Sequence, residues 1–199
     1  PDLPPEPAGE RAISLELMRT APPRCRMLYV GNAMPYKNLS VLAAALHRIR
    51  QTIPEATLFA TIDPSDPLAA TAGVVPLRRL ARAELREAYA LASVLVMPSL
   101  VETVGLPMLE AASVGVPVVA ADRPYAHDVC RDAALFFDPR SADDLADKVL
   151  LVCKDTETRA GLSRRGRMLA SLREGGRPYD RIISEILQLT RGARAHRVA

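Results

Sequence analysis

SVLVMPSLVETVGLPMLEAASVGVPVVAA, residues 93–121, holds two short apolar runs separated by a polar loop and one helix-length segment. The first run, Val94 to Met97, ends at Pro98-Ser99, and the second, Pro117 to Ala121, begins just after Gly115. Runs of about four to six residues without polar alternation suit neighbouring parallel strands covered on both faces. Between them, Pro107 fits the first turn of a helix, where no backbone donor is needed, and Gly115 fits the position just past its end. The stretch therefore predicts strand, loop, helix, strand, with a right-handed crossover. The loop above the first strand leads straight into a helix N-terminus, whose free N–H groups and partial positive charge suit a phosphate or a sugar oxygen.

Two carboxylates frame that N-terminus: Glu102 before the helix and Glu110 one turn inside it, with seven residues between them. Carboxylates accept hydrogen bonds from paired hydroxyls and repel phosphate, so they suit sugars on either side of an anion held by the backbone. Most glutamates are solvated surface charges. The surrounding register of Gly105, Leu106, Pro107, Ala111, Gly115, Pro117, Val118 and Val119 favours a site here.

The run PSLVETVGLPMLEAASVGVPVV resembles the E-x7-E region of the family 4 retaining glycosyltransferases, whose GT-B fold pairs two Rossmann-like domains. The resemblance implies that Glu102 contacts the transferred hexose and acts in catalysis, and that Glu110 contacts the nucleotide ribose. It also implies that the turn Thr103, Val104, Gly105, Leu106 gives backbone amides to the sugar and diphosphate. Thr103 and Val104 stand where the family usually has Gly and Phe, and a Thr resists backbone angles that Gly adopts.

Upstream, RMLYV (26–30) predicts the first strand, ending at Gly31. In GNAMPYKNLSVLAAALHRIRQ (31–51), Asn38 is expected to cap a helix whose Leu39, Leu42, Ala43, Leu46 and Ile49 share one face. Lys37 then stands at the mouth of a second strand-to-helix turn, where an ammonium can neutralise a phosphate. The matching family stretch reads Gly-Arg, a gap, then Lys-Asn, which implies nucleotide-diphosphate contacts from Gly31, Asn32 and Lys37, with Lys37 catalytic. Asn32 occupies the usual Arg position, so its amide can donate but brings no charge.

ATLFATI (56–62) and residues 74–77 predict two further strands, residues 84–91 a helix, AALFF (133–137) a sixth strand, and Asp122 to Asp132 a polar connection. Resemblance places the nucleotide base near Leu77 and Arg78, the latter where Gly is frequent. Ser141 and Asp144 form a capping pair for a helix over 142–153; helices over 159–172 and 179–190 follow. His127 has no partner in sequence and reads as a surface residue rather than a catalytic base.

The alternation over residues 26–153 predicts the fold class α/β, a single Rossmann-like doubly wound parallel sheet with C-terminal helices, and the resemblance implies that it is one half of a GT-B fold. Residues 1–24, with six prolines, read as a linker or the remnant of a preceding domain. By the resemblance, residues 25–175 are expected to form the nucleotide-sugar-binding domain, and 176–199 a C-terminal helix and basic tail.

The 199 residues, 49% hydrophobic and 25% charged, describe a globular chain. No apolar run approaches the roughly 20 residues that span a bilayer, and no charged-then-apolar leader opens the sequence. Starting on Pro1, the chain is expected to be a processed or excised piece. Cys25, Cys130 and Cys153 lack CxxC spacing and read as reduced thiols in a cytoplasmic protein. Net charge is +3, but ten Arg from Arg159 onward, against Glu174, Asp180 and Glu185, make that segment +7 and the rest −4. Such a tail suits anionic head groups as well as plain solvation.

The expected function is the donor half of a retaining hexosyltransferase, moving a hexose from a nucleotide diphosphate sugar to a glycan or lipid-linked acceptor. The N-terminal GT-B domain that shapes the acceptor site would come from the same or another chain. No metal or other cofactor and no nucleic acid are expected, and the basic tail allows peripheral membrane contact. A non-catalytic nucleotide- or protein-binding module is the alternative, with Asn32, Thr103 and Val104 as marks of a decayed site. A sugar-nucleotide epimerase fits less well, since such enzymes lack this arrangement of glutamates.

Overall fold

The structure, a computed structural model, describes residues 15–174. Six strands form one parallel sheet: β1 Arg26–Tyr29, β2 Thr57–Ala60, β3 Val74–Pro76, β4 Val94–Met97, β5 Val118–Ala121 and β6 Ala134–Phe137. Their order is β3-β2-β1-β4-β5-β6. All six fall where the apolar runs place them, and the sheet is the Rossmann-like arrangement expected from the sequence. Pro76 is tolerated because β3 is an edge strand, where a missing N–H leaves no ladder bond unmade.

The helices are α1 (residues 15–20), α2 Leu39–Thr52, α3 Arg82–Leu91, α4 Leu106–Val114, α5 Pro124–Cys130, α6 Ala142–Lys154 and α7 Thr156–Glu174. Alternation along the strands splits the core into two layers. Met27, Tyr29, Val94, Val96, Val119 and Ala121 face one layer, filled by Leu42, Leu46 and Ile49 of α2 and Leu145, Val149 and Val152 of α6. Leu28, Leu95, Met97, Val118 and Ala120 face the other, with Tyr89 of α3, Met108 and Ala111 of α4, and Ala126 and Val129 of α5. Strands buried on both faces explain why the sequence runs are continuously apolar.

Four local expectations need correction. Asn38 does not cap α2 with its side chain: it sits in the left-handed region at φ 56°, and its Nδ2 donates to the Pro139 carbonyl at 2.8 Å. The polar connection over 122–132 contains α5, whose amphipathic turn buries Ala126, Val129 and Cys130. Residues 15–20 do not run free as a linker, because α1 buries Leu15 and Met18 in the second layer. The capping pair at α6 is half made: Ser141 accepts from the Asp144 N–H, but Asp144 Oδ2 accepts from Asp138 N–H at 2.8 Å. The helix expected over 179–190 and the tail lie outside the described residues.

Cys25 and Cys153, 128 residues apart, meet at a sulfur–sulfur separation of 2.6 Å inside the first layer, and both are free thiols. Contact with Cys153 and burial push the Cys25 thiol far above its ordinary range.

Candidate functional site

In the strand order, the chain runs outward from β1 in one direction through β2 and β3, and outward from β4 in the other. The boundary between β1 and β4 is therefore the switch point where open α/β sheets leave a crevice beyond the strand C-termini. The loops after these two strands carry Gly31, Asn32 and Lys37 on one side and Glu102, Thr103, Gly105 and Leu106 on the other.

The β1 loop is held from below. Gly31 N–H donates to Thr61 Oγ1 at 2.9 Å, and the Thr61 hydroxyl donates to the Gly31 carbonyl at 3.1 Å. The buried Tyr29 hydroxyl donates to the Asn32 carbonyl at 2.6 Å. A Cβ on Gly31 would stand 2.6 Å from that hydroxyl oxygen, so the close approach requires glycine. Burial first, and the Glu102 charge second, hold the Tyr29 phenol well above its usual range, so it stays a donor.

A 3-10 turn, Pro35–Lys37, then turns Lys37 back over the sheet edge. The Lys37 ammonium forms an ion pair with Glu102 Oε1, their side chains only 10% and 12% exposed. Leu100 N–H donates to the Tyr36 carbonyl at 2.8 Å, which ties the two loops together. The Tyr36 ring lies 5.3 Å from the Lys37 ammonium. The two residues singled out for catalysis thus meet, and each is the other's counter-ion.

Gly105 opens α4 from the left-handed region at φ 68°, which an L-residue with a Cβ resists. It is followed by Leu106 and Pro107, so the first turn presents the Gly105 and Leu106 N–H groups at the same edge without intrahelical partners. Thr103 is exposed beside them. Glu110 lies on the outer face of α4, where its Oε2 accepts from the Tyr89 hydroxyl of α3 at 2.7 Å. Burial and the Glu110 charge raise the Tyr89 phenol far above its normal value, which keeps that proton in place.

The remaining predicted residues are placed less directly. Asn32 is exposed at the lip, with its Oδ1 accepting from Met34 N–H at 3.3 Å. Leu77 is fully buried, so only its backbone faces the edge. Arg78 beside it has φ 55°, the conformation a glycine there would take freely. His127 is outside the cluster: its Nε2 pairs with Asp122 Oδ1 at 2.7 Å, its ring stacks on Phe136 at 3.9 Å, and both partners of the pair are half exposed.

Sequence reasoning missed Tyr29, Thr61 and Tyr125, which shape the site from beneath. Tyr125 of α5 donates to the Ser99 carbonyl at 2.7 Å, and its phenol is raised by burial and then by Glu102. Tyr29 and Thr61 read simply as strand residues, and Tyr125 lay in a segment read as connection. Among the described residues, no group of three or more His, Cys, Asp or Glu is placed to hold a metal ion, and no helix is long and apolar enough to cross a membrane.

The sequence profile of the family described as "Glycosyl transferases group 1" matches residues 24–155. A sulfoquinovosyl transferase from Arabidopsis thaliana is 41% identical over 81 residues, which is 38% of this chain and 16% of that protein. The chain thus spans only a fraction of that relative's length. Among solved structures, the C-terminal domain of a glycosyl transferase group 1 family protein, LpcC from Francisella tularensis, superposes with a TM-score of 0.67 at 18% identity, covering 84% of this chain and 94% of that domain. Alr3699/HepE from Anabaena, solved with UDP and glucose, superposes with a TM-score of 0.71 at 19% identity, covering 92% of this chain and 53% of that one. At such identities these likenesses show the shared fold, that of a GT-B C-terminal domain.

Proposed function

The chain belongs to the group 1 glycosyl transferases, and on that premise we propose that it is the donor-binding half of a retaining glycosyltransferase acting on a nucleotide diphosphate hexose. The observation that carries this reading is the buried Lys37–Glu102 pair at the switch point, set against the open N-terminal turn of α4. The solved relative holding UDP and glucose supports a donor of that class.

In this reading the diphosphate lies against the Gly105 and Leu106 N–H groups and draws the Lys37 ammonium from Glu102. Glu102, released from its counter-ion, accepts from hexose hydroxyls. Glu110 offers the ribose its Oε1, while Tyr89 retains Oε2. As the bond from the anomeric carbon to the diphosphate oxygen breaks, negative charge grows on the leaving diphosphate. Lys37 and the helix amides are already in place to stabilise it. The acceptor oxygen then bonds to the same face of the anomeric carbon and passes its proton to the departing diphosphate oxygen, and the acceptor itself, a glycan or a lipid-linked sugar, is positioned by a second GT-B domain. Buried thiols at Cys25, Cys130 and Cys153 suit a reducing cytoplasm.

Calorimetric titration with uridine and guanosine diphosphates tests the reading. Binding of one of them, weakened by Lys37→Ala and by Glu110→Ala, is expected. Binding untouched by both substitutions would put the site elsewhere. No heat with either nucleotide would leave a non-catalytic, protein-binding module.

A further inference from the structure

The Cys25 and Cys153 thiols are in direct contact, sulfur to sulfur, across 128 residues of sequence. Both are enclosed, 1% and 6% exposed, in the layer that α2 and α6 pack against the sheet. Cys130 belongs to the other layer, where its thiol lies 3.6 Å from Met108 Sδ, so the sheet stands between it and this pair.

Neither backbone is free to carry its sulfur away. Cys25 ends a 3-10 turn, Pro23–Cys25, that runs directly into β1. That entry is fixed from two sides: Arg26 N–H donates to Ser93 Oγ at 3.1 Å, and the Ser93 hydroxyl donates to the Pro23 carbonyl at 2.7 Å. Arg26 Nε donates to the Ala21 carbonyl at 3.0 Å. Cys153 sits in the last turn of α6, which closes with Asp155 N–H donating to the Leu151 carbonyl at 2.9 Å. Asp155 in turn accepts from Glu157 N–H at 2.9 Å and Thr158 N–H at 3.2 Å in the first turn of α7.

We propose that Cys25 and Cys153 are an oxidant-responsive pair that closes into a disulfide when peroxide rises and fastens the chain entering β1 to the end of α6. In a reducing compartment the pair rests as two thiols. Cys153, the less enclosed sulfur, attacks one oxygen of hydrogen peroxide as its thiolate. The O–O bond breaks, and the other oxygen leaves as hydroxide and takes up the proton that the thiol gave, forming water. The Cys25 sulfur then attacks the sulfenic sulfur, the S–O bond breaks, and hydroxide leaves with the Cys25 proton as a second water. Two thiols and one peroxide thus give one disulfide and two waters, with two electrons passed from sulfur to oxygen. A second thiol already in contact takes the sulfenic acid before a further peroxide can. Burial and contact with Cys153 keep the Cys25 thiol protonated, so the reaction is slow in the native state and gains from local opening.

A crosslink between positions this far apart constrains the unfolded chain strongly, which in the chain-entropy account stabilises the fold. It forms at the end of the sheet where β1 begins, whereas Lys37 and Glu102 stand beyond its other end. The inference is therefore independent of the donor-binding reading.

The test treats purified, prereduced protein with hydrogen peroxide, blocks remaining thiols with iodoacetamide in denaturant, and maps the peptides by mass without reduction. The expected product has lost two hydrogens, joins the Cys25 peptide to the Cys153 peptide, and leaves one alkylated cysteine, Cys130, of the three. Its thermal midpoint should rise by roughly 5–15 °C, and dithiothreitol should reverse both changes. Cys130→Ala should behave as wild type, while Cys25→Ala and Cys153→Ala should give neither crosslink nor rise. Three alkylated cysteines after peroxide, sulfinic acid at Cys25 or Cys153 in place of the crosslink, or a crosslink to Cys130 would each overturn the inference. So would a crosslinked protein whose midpoint is unchanged or lower. Should the alanine variants at Cys25 and Cys153 fail to fold, the wild-type peptide map and midpoint decide alone.

Discussion

The Lys37 ammonium and the Glu102 carboxylate, 65 residues apart in sequence, form an ion pair whose side chains are 10% and 12% exposed. Removing one partner leaves the other buried and uncompensated, which typically costs about 3–5 kcal/mol. Lys37→Ala and Glu102→Ala should each lower stability by roughly that range in urea unfolding. The double substitution Lys37→Met/Glu102→Leu, which buries no charge, should be less destabilised than either single one. Additive losses would mean that the pair is not coupled.

Three enclosed phenols make the fold sensitive to alkali. Tyr29, Tyr89 and Tyr125 are each raised above the ordinary tyrosine value, in every case chiefly by burial, with Glu102 or Glu110 as the next cause. An unfolded tyrosine loses its proton near pH ~10, so above that point the unfolded chain binds fewer protons than the native one and stability falls as pH rises. The stabilisation is complete below that pH and is lost as pH climbs through the folded values. Phenolate absorbance followed together with circular dichroism should show most tyrosine ionisation arriving with unfolding. Smooth ionisation of all tyrosines near pH ~10 in a folded protein would contradict it.

Gly105 holds the turn that aims α4. At φ 68°, a substituted alanine is strained, and its Cβ would stand 2.5 Å from Met108 Cε, the movable end of a flexible side chain. Gly105→Ala should therefore cost about 1–2 kcal/mol, mostly backbone strain, measured by denaturant unfolding. It should also weaken nucleotide binding more than a surface substitution of equal destabilisation, because the amide-bearing turn moves.

Cys25, Cys130 and Cys153 are all buried, and the Cys25 thiol is held well above its usual range by Cys153 and burial. Thiol reagents attack the exposed thiolate, so native protein should label slowly at all three positions. Under reducing conditions followed by denaturation, three thiols should react at once. Rapid labelling of folded protein would contradict the burial of Cys25 against Cys153 of α6.

The sheet was legible because its central strands are buried on both faces. Val94–Met97 and Val118–Ala121 stand out as uninterrupted apolar runs with Pro and Gly marking the helix between them. Gly115, just past the end of α4, was also readable, since its left-handed position favours glycine; the left-handed Gly105 that opens the helix was not. Hidden were contacts that join distant segments. Asn38 has the composition of a helix cap, yet its amide is drawn to Pro139, 101 residues away. α5 escaped notice because Arg123, His127 and Asp128 mask its three-residue apolar spacing. The neutralisation of Lys37 by Glu102 could not be seen either: both residues were chosen for ligand contacts, and their mutual pairing depends on how the β1 and β4 loops fold over one edge.

The central claim is that a nucleotide diphosphate binds where the β1 and β4 loops meet the first turn of α4. Amide chemical-shift mapping with UDP and GDP on isotopically labelled protein tests it most directly. The account predicts the largest shifts at Gly31, Lys37, Gly105 and Leu106, with smaller ones at Glu110. Shifts confined to the opposite end of the sheet, around the cavity lined by Ser93, Gly115 and Arg159, would contradict it.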